Sequence, residues 1–156
     1  GKTTQISILT TLYSPTSGEF RLFGESASHL SYRNLFGLVP QETVNHGFFT
    51  LEEVLEFTSG YHGLRGNKAR ESELLVRLGL DEHKRKKVSE LSGGMKRRFA
   101  IAKALVHSPR LLLLDEPTAG VDIELRALLW EFVSELHRQG TAVLLTTHYI
   151  EEAEKL

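Results

Sequence analysis

Cysteine is absent from this sequence of 156 residues, and methionine and tryptophan each occur only once. A chain without cysteine forms no disulfide and has no thiolate ligand for a metal ion. Its composition therefore suits a reducing compartment such as the cytosol.

Net charge is nearly absent as well, because 19 basic residues stand against 20 acidic ones. Such a balance excludes the chain-wide positive field that gathers nucleic acid or an anionic membrane surface. The basic run at residues 83–87 is short and is predicted to be a solvated loop. We therefore expect no nucleic-acid partner.

Long apolar runs are also missing. The longest, at residues 111–114 and 142–145, fall far short of the roughly 20 residues that a membrane-spanning helix needs. Residues 1–5 have none of the features of a secretory signal, and no initiator methionine precedes them. We expect the chain to be part of a longer protein.

Apolar residues make up 40% of the sequence, which is enough to form one buried core. They recur at the regular spacings that are typical of helices and strands. The spacing of Ile6, Leu9 and Leu12 predicts a helix at the start of the chain. Two short runs that end at breakers, residues 19–23 and 35–39, predict strands.

A long helical segment is predicted next. Thr50 and Glu53 fit a capping box, so a helix should begin near residue 51. The helical pattern continues to about residue 88. Its apolar face and its stop signal are given by Leu74, Leu75, Leu78 and Gly79.

A further helix is predicted after Ser92 and ends before Pro109. Its apolar stripe consists of Met95, Phe99, Ala102 and Leu105. The opposite face is expected to carry the basic residues Lys96, Arg97, Arg98 and Lys103.

Residues 111–114 and 142–145 have the continuous apolar character of strands that are covered on both faces. A strongly periodic helix lies between them, with its stripe at Leu125, Leu128, Leu129, Phe132, Val133 and Leu136. Strand, helix and strand at this spacing predict a right-handed crossover in a parallel sheet. The fold class is therefore predicted to be α/β.

Three short motifs carry possible chemistry. Gly1, Lys2, Thr3 and Thr4 at the head of a helix match the end of a phosphate-binding loop, in which a lysine holds phosphates and a hydroxyl binds magnesium. A flexible helix start is the alternative for this motif taken alone.

Asp115 and Glu116 end a buried strand, at the edge where open α/β sheets bind ligands. There an aspartate can hold magnesium, and a glutamate one residue on can polarise a water for attack on phosphorus. An acidic turn is the alternative interpretation.

Ser92, Gly93 and Gly94 open a helix whose free amides and positive dipole end form an anion site. An ordinary serine cap explains the serine but not both glycines. His148 and Gln41 each follow a strand; taken singly, a histidine there is more often structural and the glutamine is uninformative.

The order of these motifs along the chain, together with a Gly-Val-Asp turn at 120–122, resembles the nucleotide-binding domain of the ABC transporter family. The resemblance covers essentially the whole chain. It implies ATP and Mg²⁺ as ligands, with Lys2 on the β and γ phosphates and Thr3 on the metal. It also implies that Gln41 reaches the metal and the attacking water and lies beside the surface that contacts a membrane subunit.

The same resemblance assigns the remaining site residues. Asp115 and Glu116 match the Walker B aspartate and the catalytic glutamate, Asp122 the D-loop, and His148 the switch histidine. Ser92, Gly93 and Gly94 belong to the signature motif, in which Met95 replaces the glutamine of many members. Residues 37–41, 118–126 and 146–152 are most similar to bacterial ABC-2-type exporter subunits.

The resemblance further implies a P-loop NTPase-like core at residues 1–49 and 107–156, with a helical subdomain at about 50–106. Two copies are expected to sandwich ATP at the cytoplasmic face of the membrane, beside a separate integral membrane permease. It also implies a chain truncated at both ends. The alternatives are a soluble ABC-class ATPase that acts on nucleic acid or ribosomes, and a truncated fragment without activity of its own.

Overall fold

The computed structural model describes residues 2–42, 47–118 and 123–148. Short 3-10 helices lie at Leu30–Asn34, Asp81–His83 and Val88–Glu90. The strands and α-helices are α1 (Lys2–Leu9), β1 (Arg21–Leu22), β2 (Glu25–Ser26), β3 (Phe36–Val39), α2 (Leu51–Tyr61), α3 (Lys68–Arg77), α4 (Gly93–Leu105), β4 (Leu111–Asp115), α5 (Ile123–Arg138) and β5 (Ala142–Thr146).

A three-stranded parallel sheet in the order β3-β4-β5 organises the chain. Val39 pairs with Leu114, and Leu114 pairs with Leu145 on the other side. The three strands therefore end at one common edge. The predicted α/β class, with a parallel sheet and helices packed against it, is confirmed.

β4 is the centre of the sheet, and all five of its residues are buried. Since successive side chains of a strand point to opposite faces, both faces of β4 are covered, as predicted. The same prediction is wrong for β5, where Leu144 is 41% exposed. Within the described residues β5 pairs with β4 alone, so it forms an edge that is less covered.

Of the two strands predicted early in the chain, one forms as predicted and the other is much shorter. Residues 35–39 correspond to β3, as expected. The run at 19–23 forms only the two-residue strand β1, because Phe23 and Gly24 have positive φ of 51° and 86° and reverse the chain into β2. Two consecutive positive φ values are the signature of a tight hairpin turn.

Helix α1 is shorter than the apolar spacing predicted. Ile6 is buried, but Leu12 lies beyond the helix and is 66% exposed. Thr11 adopts a left-handed φ of 60°, which ends the helix before Leu12.

The helical pattern predicted over 51–88 is confirmed, but the structure divides it into α2, α3 and short 3-10 helices. The capping box is confirmed: the Glu53 amide donates to Thr50 Oγ1 at 3.3 Å, and the Thr50 amide donates to the Glu53 carboxylate at 2.8 Å. Gly63 and Gly66, with φ of +76° and +67°, then separate α2 from α3. The face and stop predicted for α3 are confirmed by buried Leu74, Leu75 and Leu78 and by Gly79 at φ +64°.

Helices α2, α3 and α4 pack against one another, and α4 also packs against β3. One apolar cluster runs from these helices through β4 to α5. The division into a core and a helical subdomain stays a prediction. No helix among the described residues is both long and apolar enough to cross a membrane.

The stripe of α5 is confirmed at Leu129, Phe132, Val133 and Leu136, which are all buried. Leu128 is 56% exposed, contrary to the prediction, and Trp130 is buried in its place. At 100° per residue, Leu128 falls outside the arc that the buried residues span. The side chain of Leu125 lies outside the described part of the chain.

Gly37 of β3 allows the close approach of α4. A Cβ atom at this position would lie 2.0 Å from the Ala104 carbonyl oxygen and 2.8 Å from its carbonyl carbon. Both atoms belong to the helix backbone, which cannot move aside as a flexible side chain would. The absence of a side chain at Gly37 therefore sets the distance between α4 and the sheet.

We expect Gly37→Ala to lower the free energy of unfolding by about 2 kcal/mol, because it overpacks a backbone contact. Denaturant unfolding of the purified protein measures this change. Gly60→Ala in α2 is the control, because its added Cβ meets nothing within 4 Å. That variant should be neutral or slightly more stable, and equal stability of the two variants would contradict the packing argument.

Candidate functional site

The carboxyl edge of the sheet gathers the polar residues that follow its strands. β4 ends at Asp115, β5 ends at Thr146, and β3 ends two residues before Gln41. Because the strands are parallel and in register, these ends lie side by side. The structure thus brings the predicted residues Asp115, Glu116, His148 and Gln41 to one edge.

Asp115 is buried and held by its neighbour on β5. It pairs with Thr146 across the ladder, and the Thr146 hydroxyl donates a hydrogen bond to Asp115 Oδ1. This hydroxyl also lies 3.5 Å from the Leu114 carbonyl oxygen. One carboxylate oxygen of Asp115 therefore has a fixed orientation.

Glu116 follows in a left-handed backbone conformation, with φ of 49°. Few residues other than glycine adopt this conformation, and it costs free energy that the surroundings must supply. The Glu116 amide donates to the Thr146 carbonyl at 2.9 Å, and the residue is only 9% exposed. Its backbone is therefore anchored to β5.

His148 is exposed and lies next to this glutamate. Its Nε2 atom is 3.4 Å from Glu116 Oε1. The two residues are 32 positions apart in the sequence, and the pairing of β4 with β5 brings them together. A carboxylate and an imidazole in contact provide one group that accepts protons and one that can donate a hydrogen bond.

The start of α4 is exposed at Ser92 and Gly93, and Gly94 is partly exposed. Ser92 is the N-cap, and its hydroxyl oxygen accepts from the Met95 amide at 3.3 Å. A Cβ at Gly93 would meet nothing within 4 Å, so packing within the described chain does not require glycine there. An approaching anion or a second molecule would find this helix start accessible.

Arg97, on the next turn of α4, does not lie on the face where the sequence predicted it. We expected it on a solvent-exposed basic face, but it is 5% exposed and points to the carboxyl edge of the sheet. Its guanidinium donates to five backbone carbonyl oxygens: those of Pro40 (2.5 Å), Gln41 (3.3 Å), Asp115 (3.0 Å), Glu116 (2.8 Å) and Pro117 (2.6 Å). Burial lowers the pKa of Arg97, while the charges of Asp115 and Glu116 oppose that shift.

The other three basic residues predicted on this face are neither fully exposed nor fully buried. Lys96, Arg98 and Lys103 are partly buried. Arg98 donates to the Leu78 carbonyl at 2.7 Å and so links α4 to the end of α3. Burial lowers the pKa of Lys103.

The remaining predicted site residues are less fully described. Thr4 is exposed in the first turns of α1. Lys2 and Thr3 belong to α1, but their side chains lie outside the described part, as do Gly1 and Asp122 altogether.

Sequence reasoning missed Arg97 and Thr146 as parts of this site. A signal for Arg97 was available, because it stands four residues before Ile101 and eight before Leu105, both buried on the same helix. The prediction placed Arg97 on the basic face of α4 because its side chain is charged. No comparable local signal distinguishes Thr146 from other strand threonines.

Comparisons with known proteins agree with this geometry. The family model described as "ABC transporter" matches residues 1–119. The chain is 43% identical over 162 residues to "Nod factor export ATP-binding protein I" of Burkholderia orbicola (strain AU 1054), covering 100% of this chain and 53% of that protein. It is 36% identical over 157 residues to "ABC transporter G family member 20" of Dictyostelium discoideum, and this match covers 98% of this chain and 22% of that protein.

Among solved structures, one described as "Structure of ATP binding subunit of ABC transporter" superposes with a TM-score of 0.89 at 30% identity. The match covers 99% of this chain and 66% of that one. The chain spans about half the length of the Nod factor export proteins that it matches.

Proposed function

Because this chain belongs to the ABC transporter family, we propose that it binds and hydrolyses ATP and so drives a transporter in the membrane. The observation that carries the proposal is the arrangement of Asp115, Glu116 and His148 at the carboxyl edge of the sheet. Relatives named as export ATP-binding proteins favour an exporter of the ABC-2 type over an ATPase that acts on nucleic acid or ribosomes.

Phosphate binding is assigned to the start of α1. The helix begins at Lys2, and the N-terminus of a helix presents backbone N–H groups and a positive dipole end to an anion. Gly1, Lys2, Thr3 and Thr4 are proposed to hold the phosphates there, with the Lys2 ammonium on the β and γ phosphates.

The oxygen donors at this edge fit magnesium. Mg²⁺ prefers carboxylate, hydroxyl and carbonyl oxygens and is usually held by one or two carboxylates together with substrate phosphates. Asp115 supplies a carboxylate whose orientation Thr146 fixes. Thr3 and Gln41 would supply the other side-chain oxygens, and the bound ion would neutralise charge on the phosphates.

Glu116 is proposed as the group that accepts a proton from the attacking water. Its backbone is anchored on β5, so the carboxylate position depends on the sheet rather than on a loose loop. His148 Nε2, close to that carboxylate, is placed to donate a hydrogen bond to it or to a phosphate oxygen.

A second copy of the chain is proposed to complete each site. The exposed start of α4, with Ser92, Gly93 and Gly94, offers amides and a positive dipole end to the γ phosphate of ATP held by the partner copy. Asp122 would lie at the same interface. ATP would then hold two copies together, and hydrolysis would release them.

We expect Glu116→Gln to reduce the ATP turnover of the full-length protein by at least about a hundredfold, because the amide cannot accept the proton. ATP binding should persist, and gel filtration with ATP and magnesium should show a dimer. Glu131→Gln, an exposed position on α5, is the matched control and should turn over normally. Normal turnover in Glu116→Gln would remove Glu116 from this role.

A groove along α2 is proposed to receive the membrane partner at the cytoplasmic face of the membrane. Two hollows of about 430 and 250 Å³ share Thr58, Tyr61 and Lys103. Phe49 and Phe57 line the smaller one. We call these five residues the α2 groove.

The chemistry of the α2 groove indicates its occupant. The Phe49 and Phe57 rings meet edge to face at 5.2 Å, and Phe57 is 56% exposed. The larger hollow is also lined by Arg33 and by Gly37 of β3, the strand that leads to Gln41. A short cytoplasmic segment of the permease, apolar with an acidic side chain, would match this aromatic and basic lining.

We expect Phe57→Asp to lower co-purification of the full-length protein with its membrane partner by at least about tenfold, because it puts a charge among aromatic contacts. Val76→Asp on α3, also exposed and outside the groove, is the control. Quantitative pull-down from detergent extracts measures both. Equal recovery of the partner by the two variants would contradict docking at the α2 groove.

A further inference from the structure

Arg97 uses its whole donor capacity on backbone carbonyls of the site. A guanidinium has five N–H groups in a rigid planar fork. Nε donates to Pro117, Nη1 to Pro40 and Gln41, and Nη2 to Asp115 and Glu116. The number of donors therefore equals the number of acceptors.

The five acceptors belong to two separate segments. Pro40 and Gln41 follow β3, whereas Asp115, Glu116 and Pro117 end or follow β4. The ladder between these strands stops at the pair Val39 and Leu114. Pro40 has no N–H and cannot donate a further ladder bond. Arg97 connects the two segments beyond the point where backbone pairing ends.

Glu116 is held on both sides by these contacts. Its N–H donates to Thr146 at 2.9 Å, and its carbonyl accepts from Arg97 at 2.8 Å. The left-handed φ of Glu116 is costly unless the surroundings maintain it. Because the Cα position and backbone conformation set the direction of the side chain, Arg97 and Thr146 together aim the Glu116 carboxylate.

The contacts leave the side-chain chemistry of the site intact. All five acceptors are backbone carbonyl oxygens rather than the carboxylates of Asp115 and Glu116. Arg97 can therefore orient the reacting groups without competing for their oxygens. A lysine has three donors on a single nitrogen and cannot span both segments in this way.

We propose that Arg97 is a positioning residue that locks the backbone of Gln41 to that of Glu116, so that the two segments move as one unit. This inference rests on the proposed ATPase function. Any displacement of the Gln41 segment, including one caused by a membrane partner, then reaches the carboxylate that acts on water. In the proposed site, other residues hold the ATP.

The test compares Arg97→Lys with Arg98→Lys in the full-length protein. Arg98 is the adjacent residue of α4 and donates to Leu78 and Gly79 carbonyls, away from the carboxyl edge. For Arg97→Lys we expect kcat to fall about a hundredfold, the scale of a misplaced reacting group, with KM for ATP changed by less than about threefold. Arg98→Lys should keep kcat within about threefold of the wild type.

A double-mutant cycle with Glu116→Gln separates positioning from general destabilisation. If Arg97 acts through Glu116, adding Arg97→Lys to Glu116→Gln should slow the residual turnover by less than about threefold. If the two effects multiply, Arg97 acts independently of Glu116 and the inference is wrong. A loss confined to KM would also overturn it.

Folding is checked by thermal melting and by binding of a fluorescent ATP analogue. Arg97→Gln, whose amide retains two donors, is the second variant and should also lose kcat with little change in KM. If turnover of both Arg97 variants falls only in proportion to the loss of folded, ATP-binding protein, the role is structural and the inference fails. If Glu116→Gln itself has no effect on an active wild type, the proposed function fails instead.

Discussion

Burial of β4 on both faces constrains the position of everything at its carboxyl end. Leu112, Leu113 and Leu114 are completely inaccessible to solvent, and each buried leucine contributes about 2 kcal/mol to folding. A slip of the strand by one residue would carry Asp115 into this apolar interior, where an unpaired carboxylate is very costly. The strand therefore stays in register, and its two carboxylates stay at the edge.

The same constraint explains why a charged residue is buried beside them. Where the ladder ends, the buried carbonyls of Asp115, Glu116 and Pro117 need hydrogen-bond donors, because buried polar groups without partners destabilise a fold. Arg97 supplies these donors. A buried guanidinium is tolerated when its hydrogens are all bonded, so the charge and the carbonyls satisfy each other.

The structural features that depend on residues close together in the sequence were the easiest to predict. The capping box at Thr50, the buried run of β4 and the stop at Gly79 depend on neighbouring residues, and each was predicted correctly. What sequence reasoning missed depends on tertiary packing. Arg97 reaches the carbonyls of Gln41 and Glu116 only because α4 packs against β3, which pairs with β4.

Helix α4 connects the parts of the proposed dimer site. Its exposed start at Ser92 lies about 7.5 Å along the helix axis from Arg97, at 1.5 Å per residue. A rigid helix carries displacement at one end to the other, because its backbone hydrogen bonds resist bending over so short a distance. In a dimer of the proposed kind, ATP of the partner copy would contact Ser92 while Arg97 holds Glu116 against the copy's own ATP. The two nucleotide sites would therefore be mechanically connected through α4. Arg97 is the side chain of α4 that bonds to the carboxyl edge of the sheet.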